Sequence, residues 1–307
     1  MTFAATPVSP AASVRVLLSG VVDYAGLFPP ASLGMAAAVA EYASHRNGPQ
    51  AWALGRFIVP AARLEEFEES SAGVLPRQAA SYWALSALLG SDIEEDVERI
   101  EQFNARHRDP LSGAVIVDTV ELKTGATREI MHAGELLDRR FVTYMEVPVM
   151  DDPEALVVAI AGTMAKAKVR TGGVTADTFP TSAEVIRFIA RCQAHNVAFK
   201  ATAGLHHPWR NEYHLTYAAD APRGTMFGFL NVILAVAGLR AGWGREEATA
   251  LLEERDATTV RFDADGVRWR DRALSLLDLE RARDSVTTFG SCSFRDPIEG
   301  LQANALL

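Results

Sequence analysis

Residues 166–204 read KAKVRTGGVTADTFPTSAEVIRFIARCQAHNVAFKATAG. The stretch has three parts: a short run ending in two glycines, a helical pattern with apolar residues three and four apart, and a second short run that is apolar except for one lysine. Near-continuous apolar strands around an intervening helix are the repeating unit of a parallel sheet covered on both faces. The lysine is the anomaly. An ammonium inside a buried strand is costly without a partner, so Lys200, and Lys168 on the preceding strand, are either structurally paired or put to use.

Outward from this unit the same rhythm repeats. SGVVDYAGLF precedes SLGMAAAVAEYASH, GRFIVPA precedes RLEEFEES, SYWALSALLG precedes DIEEDVERIEQFNARH, GAVIVDTVEL precedes TREIMHAGELLDRR, and FVTYMEVPV precedes DPEALVVAIAGTMA. A last candidate strand, SVTTFGSCSF, leads into the short helix DPIEGLQANAL. Eight strands, each followed by helical material, predict an α/β fold of the (β/α)8 TIM-barrel type, with an open doubly wound sheet as the competitor. No GxGxxG follows the first strand, which weakens the dinucleotide-binding version of the open sheet. The expected organisation is a flexible N-terminal tail over 1–18 and a single barrel domain over 19–307. Within it, 208–284 form an insertion or lid between the seventh and eighth strands. That insertion reads as a polar histidine-containing loop, an all-round apolar helix over 224–242, a helix REEATALLEE, and a hairpin turning at DADG.

Composition narrows the partners. The chain has 307 residues, 49% hydrophobic and 22% charged, enough for a full core. Its net charge of -9 and pI near 5.3 disfavour nucleic acid or an anionic membrane and leave a small-molecule substrate, with self-association left open. The two cysteines, Cys192 and Cys292, are far apart and signal neither a disulfide framework nor a zinc site. No stretch approaches the roughly 20 apolar residues of a membrane span, and the opening lacks a secretion signal, so a cytoplasmic location is expected.

Barrel sites form at the C-terminal ends of the strands. The polar residues there are Asp23 and Tyr24, Glu121, Glu146, Lys168 with Arg170, and Lys200 with Thr202, followed by His206 and His207. Alternation puts Lys168 with Arg170 on one face of their strand, and Lys200 with Thr202 on one face of theirs. On inner faces the two lysines would come from neighbouring strands about 4.8 Å apart. Mutual repulsion and desolvation would then lower a lysine pKa and make a nucleophilic amine. Lys166 shares the parity of Lys168, so which of them reaches the mouth depends on where the strand ends.

The motifs KVRTGGVT at 168–175, KATAG at 200–204 and FGSCS at 289–293 resemble, in order and strand placement, three motifs of the deoxyribose-phosphate aldolase family of class I aldolases. The resemblance covers some twenty residues of the C-terminal part of the barrel. It implies a lyase in which Lys168 forms the Schiff base, Lys200 tunes it, and Gly290 and Ser291 offer backbone N–H groups to an anion at the start of the last helix. It implies no cofactor. Three features depart from the family: Arg170 replaces a small residue and could hold a carboxylate, GLHHPWR replaces a phosphate-binding stretch, and the insertion is long. For proton transfer Glu146 comes first, with Asp23, His206 and His207 behind it. The expected catalytic set is Lys168, Lys200, Glu146 and His206; the substrate-binding set is Asp23, Arg170, Thr202, His207, Gly290 and Ser291.

Other readings stand beside this one. Lys168 and Lys200 could be structural, paired with Glu146 or Glu121. Glu146, His206 and His207 could serve a metal-assisted or acid/base lyase, isomerase or hydrolase, although no HxxxH spacing recommends a metal and none is assigned. A barrel that only binds is the third. Cys292 is either a nucleophile or a small packed residue. His45, His107, His132 and His195 read as surface histidines on helices.

Overall fold

A computed structural model describes residues 10–307. Eight parallel strands close into a barrel: β1 (Val22–Tyr24), β2 (Leu54–Pro60), β3 (Trp83–Leu88), β4 (Val115–Lys123), β5 (Val142–Glu146), β6 (Lys166–Arg170), β7 (Phe199–Thr202) and β13 (Val286–Ser291). Going round, the order is β1-β13-β7-β6-β5-β4-β3-β2, so this is a (β/α)8 barrel and not an open sheet. Each expected strand is present. The helices between them are α2 (Met35–Arg46), α3 (Leu64–Ser71), α4 (Ile93–Arg106), α5 (Thr127–Leu137), α6 (Glu154–Ala161) and α7 (Ser182–Ala194), with α11 (Arg295–Ala303) after the last strand.

Local chemistry sets the β6–α7–β7 unit. The Thr181 hydroxyl accepts from the Glu184 N–H at 3.3 Å and the Glu184 carboxylate accepts from the Thr181 N–H at 2.7 Å, a reciprocal cap that starts α7. Val185, Ile186, Phe188, Ile189 and Cys192 are buried against the barrel. Beyond β7, Ala203 and Gly204 have positive φ of 61° and 74°, which turns the chain sharply. A Cβ on Gly204 would lie 3.1 Å from Gly172 Cα, so glycine lets the ends of β6 and β7 approach.

Two expectations about the chain's outlying parts are corrected. Of the segment read as a tail, 1–9 lie outside the described residues, but Ala12–Leu18 form helix α1. Its Val14, Leu17 and Leu18 are buried, because apolar residues spaced three and four apart give it a face to pack, mainly on α10 (Leu276–Ser285). The polar loop after the HHP sequence is a hairpin of β8 (Asn211–His214) and β9 (Arg223–Met226). The apolar helix therefore starts later than expected, as α8 (Phe229–Arg240), and its first N–H groups donate to His207 O and Pro208 O at 3.0 and 3.1 Å.

Helix α8 is buried from Phe229 to Gly238, packed by α10 and by α9 (Arg245–Leu252). Asn231 on it is fully satisfied: its Oδ1 accepts from Arg210 N at 2.7 Å and its Nδ2 donates to Leu251 O and Glu254 O, both at 2.9 Å. The DADG hairpin gains a third strand, giving β10 (Val260–Phe262), β11 (Gly266–Trp269) and β12 (Arg272–Ser275). No helix of the described residues is long and apolar enough to cross a membrane.

Candidate active site

The C-terminal mouth of the barrel holds a cavity of about 330 Å³, within the usual range for a small-molecule site. Lys168, Arg170, Thr202, Gly290, Glu121 and His206 line it, with Phe28, Pro29 and Pro30 from the loop after β1. A larger groove of about 910 Å³ lies at the opposite end, around the start of β4. That end lacks the buried charges described next, and active sites of this fold form at the other mouth.

Strand register brings the lysines together. Lys168 pairs with Lys200 across β6 and β7, and with Glu146 across β5 and β6. They do not face each other as bare ammonium groups, as the sequence alone suggested. Glu121 on β4 stands between them, with Oε1 2.7 Å from Lys200 Nζ and Oε2 2.9 Å from Lys168 Nζ. Asp23 on β1 closes the set at 2.6 Å from Lys200 Nζ, and Glu146 lies 2.9 Å from Lys168 Nζ. The Ser86 hydroxyl donates to Glu121 at 2.6 Å, while the Thr288 hydroxyl and the Arg56 N–H donate to Asp23, both at 2.8 Å.

The crowding argument is thereby reversed for Lys200. It is 0% exposed, and burial works to lower its pKa, but Asp23 and Glu121 outweigh burial and push it above the ordinary lysine value. Glu121 shows the complement: burial works to raise it, and the charges of Lys168 and Lys200 hold it well below the carboxylate range. Lys200 thus favours its charged form, sealed beneath the cavity floor.

Lys168 differs in two respects. It lines the open cavity, and its 2.9 Å contacts lack hydrogen-bond direction: the buried Glu146 Oε2 has no hydrogen-bond partner among the described residues. Glu146 is held below its ordinary value by Lys168, with help from Arg170 and Lys123, against burial, which is the largest single influence and acts to raise it. Arg170 Nε sits 3.5 Å from Glu146 Oε1, so the guanidinium is shared with a carboxylate. Lys166 stays lower in the barrel, over the Tyr144 ring at 5.6 Å, and Lys168 is the lysine at the mouth.

The remaining sites fall into place around this centre. Asp23 faces inward but lies under the floor with Lys200, whereas Tyr24 points out toward α2 and donates to Glu41 at 2.8 Å. Gly290 and Ser291 do not stand at a helix start, because β13 continues through Ser291 and α11 begins at Arg295. Gly290 lines the cavity beside Thr202; the Ser291 hydroxyl lies 3.3 Å from His206 Nδ1. His206 Nδ1 also lies 3.7 Å from Asp296, which accepts from Tyr217 at 2.7 Å. Burial lowers the pKa of His206, with Asp296 opposing.

His207 turns away, stacking on Tyr213 with centroids 3.5 Å apart. Glu146, His206 and His207 are therefore not brought together, and no group of three His, Cys, Asp or Glu side chains among the described residues is placed to hold a metal ion. Cys292 is buried, which raises its pKa to about 11, as befits a packed thiol. His107 is also buried, not superficial, because its Nδ1 sits 2.9 Å from Gly113 O. Ser86, Thr288, Tyr217 and Asp296 were not singled out in the sequence; of these only Asp296, an acid in the first turn of the last helix, carried a local signal.

Comparison of the chain with models of known protein families gives no match, and comparison with curated proteins gives no significant one.

Proposed function

We propose that this protein is a carbon–carbon lyase of class I aldolase type, acting on a small carbonyl compound through a Schiff base on Lys168. One observation carries the reading: of two register-paired lysines, Lys200 is sealed and locked by two carboxylates, while Lys168 opens onto a cavity between Glu121 and Glu146. The motif resemblance to deoxyribose-phosphate aldolases supports the same assignment.

The chemistry follows from that arrangement. Lys168 transfers a proton to Glu146 and its neutral Nζ adds to the substrate carbonyl carbon. Lys168 is the chief charge holding Glu146 down, so once the proton crosses, burial, its largest single influence, is opposed only by Arg170 and Lys123, and the protonated acid is favoured more than before. Glu146 returns the proton to the carbinolamine hydroxyl, which leaves as water and gives the iminium. A base, Glu146 or His206, removes the proton of the β-hydroxyl. The bond between the α and β carbons breaks, its electron pair moving to the iminium, and an aldehyde departs from an enamine. Protonation of the α carbon and hydrolysis, which takes back one water, free the second product. Lys200 reacts at no step; its charge helps hold Glu121 ionised, and its contacts with Asp23 and Glu121 brace the floor.

Borohydride reduction in the presence of acetaldehyde, followed by intact mass and peptide mapping, tests this reading. The expected product is one ethyl group, on Lys168, lost in Lys168→Met. An unlabelled protein, or label on surface lysines alone, overturns it.

A further inference from the structure

Behind the Lys168 cavity lies a second one of about 270 Å³, lined by Tyr213, His214, Thr216, Tyr217, Met226 and Asp296, mostly from the β8–β9 hairpin and its turn. Pro30 and His206 line both cavities, and Tyr217 of the second has its hydroxyl 3.6 Å from Cys292, which lines the first. With a water-sized group occupying about 30 Å³, the first cavity takes about eleven such groups and the second about nine. An aldol has two halves, the part that becomes the Schiff base and the part that leaves as an aldehyde. The two compartments meet at His206.

We propose that the second cavity receives the departing aldehyde half of the substrate, and that this half is an uncharged, hydroxylated chain, not a phosphate ester. The proposal rests on the aldol reading of Lys168. Its own ground is the chemistry of the lining. Asp296 is the acid there, and its neighbours are hydroxyls and imidazoles. His207 is neutral at pH 7, since burial and then His206 bring its pKa to about 4.

The turn that would have bound a phosphate is already satisfied internally. The Ser291 hydroxyl faces His206, and the Ser293 hydroxyl accepts from Asp296 N at 3.1 Å. Asp296 itself lies at the N-terminus of α11, where an anion would otherwise be favoured. A phosphate would meet a carboxylate, and no lysine or arginine among the described residues lines the cavity. A hydroxyl finds an acceptor in Asp296 and partners in Tyr217 and His206.

The matched pair 2-deoxyribose and its 5-phosphate, aldols differing only in a terminal dianion, tests this by borohydride trapping on Lys168 in the full chain, with acetaldehyde as the short control. The neutral sugar is expected to trap at least tenfold faster than the phosphate. Asp296→Asn should shrink that ratio severalfold, and Thr216→Trp, which fills the second cavity from a surface loop, should slow the neutral sugar while sparing acetaldehyde. Acetaldehyde labelling with the phosphate trapped as fast as the neutral sugar overturns this inference and leaves the Schiff-base reading standing. Failure of acetaldehyde to label Lys168 overturns both. Equal slowing of acetaldehyde and sugar by Thr216→Trp also counts against the two-compartment assignment.

Discussion

Replacing Lys200 by methionine tests the buried charge network most directly. The side chain is 0% exposed and donates to Asp23 at 2.6 Å and Glu121 at 2.7 Å. Methionine fills similar space but leaves two buried carboxylates short of a cation, although Glu121 keeps Lys168 and Ser86 and Asp23 keeps Thr288 and Arg56. Removing one partner of a buried ion pair costs about 3–5 kcal/mol. With an unfolding entropy of about 2.1 cal/mol/K per residue over 307 residues, or about 0.65 kcal/mol/K, the loss in Tm is about 5–8 °C. The pH dependence gives a sharper check. In the native protein Glu121 has a depressed pKa, so its contribution is present above the unfolded value of about 4.3 and is lost as pH falls through the folded value. Lys200 has a raised one, so its contribution is present below about 10.4 and is lost as pH rises through the folded value. In Lys200→Met the burial of Glu121 is less opposed and it takes a proton more readily. Acid therefore relieves the variant while it weakens the native protein, and the Tm gap narrows from pH 7 toward pH 4. Calorimetry at matched scan rates measures both. A Tm within about 1 °C of the native protein at pH 7, or a gap that widens toward pH 4, refutes the ion-pair account.

Lys168→Met should remove the borohydride adduct while costing less than half the Tm loss of Lys200→Met, because Glu121 retains Lys200 and Glu146 retains Arg170; parallel calorimetry and mass measurement of the two variants decide it. Glu146→Gln should slow adduct formation on Lys168 by about 10²–10⁴-fold, the usual worth of a positioned proton-transfer group, and a rate within threefold of native would remove Glu146 from that role. Cys292 should react with iodoacetamide at pH 7.5 at least about a hundredfold more slowly than a free thiol, since a pKa raised to about 11 alone cuts the thiolate that far; rapid alkylation mapped to Cys292 would contradict a packed thiol.

The barrel was legible because parallel strands buried on both faces leave unbroken apolar runs, and because helices such as α7 carry their caps in sequence. Lys168 and Lys200 were legible for the opposite reason, as charges inside such runs. Glu121 and Glu146 were named as alternative partners, but which lysine meets which, and that Asp23 joins them, was not legible, since that depends on closure. Asp23 and Lys200 lie 177 positions apart, and they meet because β13 alone separates β1 from β7 in the ring. Glu121 was hidden further, because the β3–β4 register shifts between Leu85 and Ser86, pairing Leu85 with Val117 but Ser86 with Thr119. Counting by twos along β4 does not survive that extra residue. Adjacent lysines depress each other only where no carboxylate intervenes; here Glu121 does, so the contacts are those of the alternative in which the lysines pair with Glu121 and Glu146. Once Glu121 is placed, the lysines differ by depth, Lys200 sealed among the carboxylates of the floor and Lys168 lining the open cavity, which is the difference the proposed Schiff base requires.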